Sequence, residues 1–173
     1  MKHPLCFIAL LFVVSACEDL GVISQQMHEA DIMESVLRFQ FTTNGSGYVW
    51  NGIVSEEIRF FALAGAELNP SDFRVQRYFD LDASFTRRFA GLPRPVRNYS
   101  QLRRELGGPF FDIETGGQVL LFWVGPVRWV GSDRVEAEGG YHAGGRNAEG
   151  DLFYLSLRNG SWQVDSLRCR WAA

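Results

Sequence analysis

The sequence has little lysine, little cysteine and little excess charge. Lys2 is the only lysine among 173 residues, there are 3 cysteines, and the formal net charge is −3 at pH 7. This balance excludes a uniformly basic nucleic-acid-binding protein, so we expect no nucleic-acid partner. Hydrophobic residues still make up 46% of the chain, which is enough to fill a core and excludes extended disorder. The length suits one ordinary domain.

The sequence also lacks an apolar run long enough to span a bilayer. Met1-Lys2-His3 provides a positive start, and the run from Leu5 to Ala16 has about a dozen residues, the length of a secretory signal core. The run ends in Val14-Ser15-Ala16-Cys17, which resembles a bacterial lipobox. This resemblance implies that the chain is cleaved before Cys17 and that this cysteine carries the lipid. Ordinary signal cleavage near Ala16 is the alternative.

These features predict how the chain is divided and where it resides. Residues 1–16 are predicted to be a lipoprotein signal peptide, 17–23 a tether and 24–173 a single domain. We expect a protein of the bacterial cell envelope, lipid-anchored on the exported side of a membrane, either periplasmic or at the outer membrane. Cys169 is the only cysteine in the predicted domain, so no disulfide can form within it. Its apolar-alternating surroundings predict a buried, small hydrophobic residue.

The first part of the domain has one strong helix pattern. Ser24 occupies an N-cap position, and apolar residues recur at three- and four-residue steps as far as Phe41. Asn44-Gly45-Ser46-Gly47 is expected to end this helix. A strand is predicted over Glu57–Ala64, with the side that carries Arg59 as its wetter face.

The middle of the domain is predicted to be mostly helical. Asn69-Pro70-Ser71-Asp72 combines cap residues with a proline, which predicts a helix from Pro70 toward Phe79. A short helical segment is expected around Ser84–Phe89, followed by an extended segment from Val96 to Tyr99.

The last part of the domain has the alternation of β-strands. Four strands are predicted, over Val119–Val130, Arg134–Tyr141, Leu152–Arg158 and Ser161–Trp171. Asn159-Gly160 indicates a two-residue hairpin, and Gly125-Pro126 indicates a bulge. Gly139-Gly140 is also interpreted as a bulge. A further bulge near Asp165-Ser166 would place all five apolar side chains of the last strand on one face.

Together these elements predict an α+β fold. The N-terminal amphipathic helix packs on a curved antiparallel sheet, which ends in a C-terminal four-strand meander. The order of elements, with the helix first and the meander last, is similar to that of cystatin-like or nuclear-transport-factor-two-like cones.

Two blocks of the sequence resemble a group of uncharacterised bacterial exported proteins. The first comprises Arg59-Phe60-Phe61-Ala62-Leu63, Asn69-Pro70-Ser71-Asp72 and Arg88-Phe89-Ala90-Gly91-Leu92-Pro93-Arg94-Pro95-Val96, and the second comprises Val124-Gly125-Pro126-Val127-Arg128-Trp129, Val135-Glu136-Ala137-Glu138-Gly139-Gly140-Tyr141 and Gly160-Ser161-Trp162-Gln163-Val164. The chain departs from the group's pattern at Asn69, at Arg94 and in an insertion over Arg74–Ala83. The resemblance implies a shape and no chemistry.

No combination of residues matches a known catalytic or metal-binding motif. His142 and Ser46 lack the strand, G-x-S-x-G and helix context of a serine hydrolase. His28 and Asp31 are three residues apart on a helix and are interpreted as solvated surface rather than as metal ligands. We therefore expect no catalytic residue, no metal and no cofactor, and we favour a protein that is not an enzyme.

Charge is distributed unevenly along the chain. Residues 74–104 contain eight arginines and two acids, whereas the segments on both sides carry an excess of acids. Arg87, Arg88, Arg94 and Arg97 are the candidate patch for an acidic protein or a lipid headgroup, because guanidinium groups bind carboxylate and phosphate bidentately. The alternative is that these arginines pair with acids of the flanking segments.

The sequence favours a lipid-anchored bacterial envelope protein that acts as a non-enzymatic binding or accessory module. The alternative is a small-molecule-binding or hydrolytic cone with a pocket lined by aromatic residues such as Phe122, Trp129 and Trp162. Packing of these rings in the core is their competing use. A cavity that holds a buried, unpaired acid or histidine would favour the alternative.

Overall fold

The computed structural model describes residues 28–42 and 44–173. The predictions for the signal peptide 1–16, the lipidated Cys17, the tether 17–23 and the helix cap at Ser24 lie outside the described residues. Residues 28–42 form a helix, α1, as the amphipathic pattern predicts. None of the helices in this part of the chain combines the length and the apolar character that crossing a membrane requires.

Strands make up most of the remaining structure. They span Val49–Trp50 (β1), Ile53–Val54 (β2), Phe60–Leu68 (β3), Val75–Asp80 (β4), Val96–Asn98 (β5), Leu102–Arg104 (β6), Phe110–Asp112 (β7), Gln118–Trp129 (β8), Arg134–Gly144 (β9), Asn147–Arg158 (β10) and Ser161–Ala172 (β11). A short helix, α2, covers Ala83–Thr86 and continues as a 3-10 turn over Arg87–Phe89. This confirms the short helical segment predicted there. A second 3-10 turn covers Tyr99–Gln101.

Within the described residues, nine strands form one sheet and β1 and β2 form a separate hairpin. The main strand order is β11-β10-β9-β8-β3-β4, with β5, β6 and β7 at its side. The last four strands are antiparallel neighbours in chain order, which confirms the predicted meander. β3 lies beside β8 and runs parallel to it, so the centre of the sheet joins an early strand to a late one. The prediction of an antiparallel sheet is therefore wrong at this place, and the sheet is mixed. The fold is α+β.

Helix α1 covers one face of this sheet. Ile32 and Val36 of α1 are fully buried in a core that also contains Phe61 of β3 and Phe122 of β8. The prediction that the Arg59 side of the first strand is the wetter face is wrong, because Phe61 lies on that side. β3 occupies the middle of the sheet with both faces covered, and alternation along a strand cannot show which face is drier in that case.

The opposite face has a smaller core of its own, and the sheet curves around it. Trp171 of β11 stacks on Trp123 of β8, with ring centroids 6.4 Å apart. The indole nitrogen of Trp171 also donates to the carbonyl of Phe73 at 2.9 Å. Phe73 belongs to the β3–β4 connection, so the two ends of the strand order approach each other across this face.

Adjacent glycines in β9 allow close packing on both faces. A Cβ on Gly139 would lie 3.0 Å from a methyl group of Val36 in α1, whereas a Cβ on Gly140 would meet the carbonyl oxygen of Glu149. Both glycines keep regular pairing with β8, so the bulge predicted at this place is wrong. The register shift lies on β8 at Gly125-Pro126, which confirms the bulge predicted from the proline.

The helix predicted from Pro70 toward Phe79 is wrong. β4 occupies the second half of this stretch and pairs antiparallel with β3. The side chain of Asn69 accepts from the backbone nitrogen of Ser71 at 2.9 Å and thereby stabilises a tight connection between the strands. The same residue types that cap helices also stabilise turns, and here the partner strand decides between the two.

The last two strands confirm the predicted hairpin and its bulge. Asn159-Gly160 adopts φ values of 52° and 77°, the left-handed conformation that this pair favours in a two-residue turn. A register shift leaves Asp165 unpaired at the predicted bulge. A second shift leaves Arg170 unpaired and turns Trp171 to the opposite face from Trp162. The prediction that all five apolar side chains of this strand share one face is therefore wrong for Trp171, whereas the other four lie on the same face.

Candidate functional site

Two of the four candidate arginines form ion pairs within the fold. Arg88 contacts Asp31 at 2.7 Å and Glu34 at 2.9 Å, which ties the 3-10 turn after α2 to α1. Arg97 donates to Asp112 at 2.8 Å, and Asp112 is almost inaccessible to solvent. These contacts agree with the alternative prediction, in which the arginines pair with acids of the flanking segments.

The other two arginines line one surface groove. Arg87 and Arg94 border it together with Phe89 and Pro93. The Nε of Arg94 donates to the carbonyl of Ile58 at 2.7 Å. Arg87 is exposed and enters none of the ion pairs in the described part of the chain. Binding of an anionic partner by the four arginines stays a prediction.

The two described histidines are held by aromatic and polar neighbours. The indole nitrogen of Trp162 donates to Nδ1 of His28 at 3.5 Å. His142 is buried on the opposite face, with a guanidinium nitrogen of Arg104 3.0 Å from its Nε2 and the hydroxyl of Tyr78 3.5 Å from its Nδ1. Burial, and then the charge of Arg104, lower the pKa of His142 to about 4. His142 is therefore neutral at pH 7 and can accept from Arg104.

Two carboxylates and one thiol meet at the end of the helix-covered face. Glu149 and Asp151 lie two residues apart on β10, and Cys169 of β11 lies directly opposite Asp151. One potential ligand atom from each of these three residues lies within 4.8 Å of the others. We call these three residues the acid–thiol cluster. Tyr141, opposite Glu149 on β9, hydrogen-bonds to the Glu149 carboxylate.

Burial and crowding of negative charge shift the ionisation of this cluster. Asp151 is 7% exposed, and burial, followed by the charge of Glu149, raises its pKa to about 7. The same two causes, in the same order, raise the pKa of the Cys169 thiol and of the Tyr141 phenol. All three shifts have one physical meaning, namely that further negative charge is unfavourable here and positive charge is favoured.

The role of the acid–thiol cluster cannot be taken from a known relative. No protein-family model, curated protein or solved structure matches this chain. The roles of Glu149, Asp151 and Cys169 therefore rest on their own geometry and charge.

Two buried oxygen atoms, one in the acid–thiol cluster and one on α1, lack a hydrogen-bond donor. Within the described residues, Oδ1 of Asp151 and Oε1 of Gln40 have no partner. Gln40 is 3% exposed, and its amide nitrogen lies 3.0 Å from where a Cβ on Gly139 would be. Gly139 is the residue that pairs with Asp151 on β9. A buried acceptor without a donor costs about 1–3 kcal/mol, so this part of the molecule favours a ligand that accepts electron pairs.

The acid–thiol cluster was not predicted from the sequence, and the burial of Cys169 was predicted wrongly. The thiol is exposed, so the prediction of a buried hydrophobic residue is wrong. Cys169 lies on β11, the edge strand of the sheet, where neighbours cover only one side. The available signal was the same-face spacing of Glu149 and Asp151, combined with the Asn159-Gly160 hairpin and the bulge at Asp165. These together bring Cys169, rather than its neighbour, opposite Asp151.

Aromatic rings that would line a pocket are used in the core. Phe122 packs against Phe41 and Phe61, with ring centroids 4.7 Å and 5.6 Å apart. Trp129 meets Trp162 edge to face at 5.5 Å. Such edge-to-face pairs are the usual arrangement of rings in a packed core. This arrangement fits the packing of these rings in the core rather than around a pocket.

Proposed function

We propose that this protein is a lipid-anchored bacterial envelope protein whose domain acts as a non-enzymatic binding or accessory module. The observation that carries the proposal is the sequence Val14-Ser15-Ala16-Cys17 at the end of the N-terminal apolar run. Residues 18–27 separate Cys17 from the described start of α1. Ten residues span at most about 35 Å, so a lipid on Cys17 would hold the domain close to the membrane surface.

The alternative, a hydrolytic or small-molecule-binding cone, requires a buried acid or histidine that is free to act in a cavity. His142 is engaged by Arg104 and Tyr78. Asp151 is buried and has one unpaired oxygen, but its neighbours are a carboxylate and a thiol rather than a pocket lined by rings. These contacts favour the binding module.

We propose further that the domain is a cone of the cystatin-like or nuclear-transport-factor-two-like kind and belongs to the group of exported proteins that it resembles. The support is the position of α1 on one face, the meander at the end of the chain and the curvature that brings Trp171 to Phe73. A crystal structure that superposes on neither kind of cone would contradict the assignment of the fold.

Cys17→Ala is expected to reduce the incorporation of labelled palmitate to background and to block cleavage before this residue, so that the larger precursor accumulates. The physical reason is that the thiol of Cys17 is the acceptor of the lipid, and the lipobox that directs the cleavage includes this cysteine. The measurement is metabolic labelling, with the size of the chain determined on the same gel.

Cys6→Ala and Cys169→Ala are the matched controls, since they remove the other two thiols of the chain. Both variants should keep the label and the processed size of the wild type. Labelling that survives Cys17→Ala, or a wild-type chain that takes up no label, would contradict the lipid anchor.

An anionic lipid headgroup is the partner that we propose for the groove that contains Arg87 and Arg94. The support is the exposure of Arg87, its place outside the ion pairs of the described residues, and the ability of guanidinium groups to bind phosphate. The lipid anchor would add to this contact because it keeps the domain near headgroups. Arg88 and Arg97 already contact acids of the fold, so we assign the contact to the groove.

Arg87→Glu is expected to weaken binding to anionic vesicles about thirtyfold, since each unit of charge near such a surface contributes about 1 kcal/mol and the substitution changes the charge by two units. The chain from residue 18 onward, which carries neither the signal peptide nor the lipid, is the background, and vesicle sedimentation at two salt concentrations is the measurement. Arg146→Glu, an exposed arginine in the β9–β10 turn, is the control. Equal loss in both variants, or binding that salt does not weaken, would retire the groove as the contact.

A further inference from the structure

We propose that Glu149, Asp151 and Cys169 form a binding site for a divalent metal ion of the zinc type. The site lies on the helix-covered face of β10 and β11, and it does not depend on the lipid anchor. The sequence alone predicted no metal site.

The distances between the ligand atoms are close to those of a zinc site. Zinc binds thiolate sulfur at about 2.3 Å and carboxylate oxygen at about 2.0–2.2 Å, so that ligand atoms in a tetrahedron lie about 3.6 Å apart. The three atoms of the acid–thiol cluster already lie within 4.8 Å of one another. Because Cys169 is exposed, a fourth position remains accessible to water.

The buried oxygen of Asp151 is the second observation that points to a ligand. Asp151 is 7% exposed, and its Oδ1 has no donor among the described residues. This oxygen therefore lacks a partner at the point where the carboxylate of Glu149 and the thiol of Cys169 also converge. A cation at the acid–thiol cluster would compensate the Asp151 oxygen directly.

The type of ligand decides which metal is expected. Calcium and magnesium prefer six or more oxygen ligands, whereas a thiolate selects zinc and chemically similar ions. The acid–thiol cluster offers two carboxylates and one thiol on paired strands, which hold ligands more precisely than loops do. Tyr141 hydrogen-bonds to Glu149 and would orient this carboxylate from outside the metal. On binding, the proton of the Cys169 thiol and the proton carried by part of the Asp151 carboxyl groups are released to solvent as the metal–sulfur and metal–oxygen bonds form.

Cobalt titration of the full chain tests the site. The protein is purified in detergent, stripped of metal with a chelator and titrated with Co²⁺, which has a charge-transfer band only where a thiolate binds it. We expect one equivalent to bind with this band and Zn²⁺ to displace it. Asp151→Asn should weaken binding at least tenfold, and Cys169→Ser should abolish the band.

Thermal unfolding separates loss of the metal site from loss of the fold. Zn²⁺ should raise the Tm of the wild type and of Glu105→Gln, an exposed acid in an ion pair elsewhere, but not the Tm of Asp151→Asn or Cys169→Ser. Cys169 is exposed on an edge strand, so Cys169→Ser is expected to fold even if Asp151→Asn does not. No band in the wild type, an unchanged band in Cys169→Ser, or full affinity in a folded Asp151→Asn would each overturn the proposal. An unchanged band in Cys169→Ser would place the thiolate elsewhere in the chain, and full affinity in a folded Asp151→Asn would exclude Asp151 as a ligand.

Discussion

Asp112→Ala is expected to lower the free energy of unfolding by about 3–5 kcal/mol, measured by chemical denaturation. The Asp112 carboxylate is almost inaccessible and accepts from Arg97 at 2.8 Å. It also accepts from the backbone nitrogen of Thr115 at 2.9 Å and from its hydroxyl at 2.7 Å. Alanine leaves all three donors without their acceptor, and Arg97 then carries a partly buried charge without its close partner.

Glu114→Ala is the matched control for this prediction. The side chain of Glu114 is 81% exposed and lies 3.9 Å from the same guanidinium, so its removal should change stability by less than about 1 kcal/mol. Equal effects of the two substitutions would contradict the structural role of Asp112. Arg97 would then again be a candidate for binding an anionic partner.

Acid should destabilise the wild type more than Asp112→Ala. Hydrogen bonds from Thr115, and then the charge of Arg97, hold the pKa of Asp112 below its ordinary value of 3.8. The folded state therefore binds this proton less readily than the unfolded state does. The stability that the carboxylate contributes is complete above the ordinary pKa and is lost as the pH falls through the lower, folded pKa. Denaturation curves between pH 7 and pH 3 measure this difference.

Trp123→Ala is expected to lower the free energy of unfolding by about 3–5 kcal/mol. Trp123 is fully buried in the smaller core, stacks on Trp171 and lies over Gly140 of the neighbouring strand. Alanine leaves a cavity that neither β9 nor β11 can fill, since Gly140 has no side chain. Denaturant unfolding followed by circular dichroism measures the loss.

Trp50→Ala controls for the general effect of losing an indole. Trp50 is 67% exposed in the β1–β2 hairpin, and its removal should change stability by about 0.5 kcal/mol or less. A Trp123→Ala variant as stable as Trp50→Ala would show that the smaller core contributes little to folding.

Elements with local signals could be predicted from the sequence. Asn159-Gly160 requires left-handed backbone whatever surrounds it, and Pro126 cannot donate within a ladder, so the hairpin and the bulge were predictable. The amphipathic stripe of α1 and the alternation of the meander were equally local. These signals give the α+β class because each depends on residues close together in the chain.

Features that depend on distant partners could not be predicted. The segment that follows Asn69 became a strand because β3 lies beside it, and the wetter face of β3 was misjudged because α1 covers that side. The acid–thiol cluster differs, because the hairpin and the bulge at Asp165, both predictable, bring Cys169 opposite Asp151. The sequence does not show that Asp151 is buried there, since α1 covers this face of the sheet. Arg88 likewise pairs with Asp31 and Glu34, which lie 57 and 54 residues away in sequence.

The parallel pairing of β3 with β8 has a consequence for how the chain acquires its fold. The two strands are roughly 60 residues apart, so closing this loop costs conformational entropy before any contact between them is gained. β4 and β5 follow β3 directly and can pair with one of its edges, but the edge that pairs with β8 stays open until β8 is available. The centre of the sheet therefore forms late, and this edge of an apolar strand must be kept from aggregating until then.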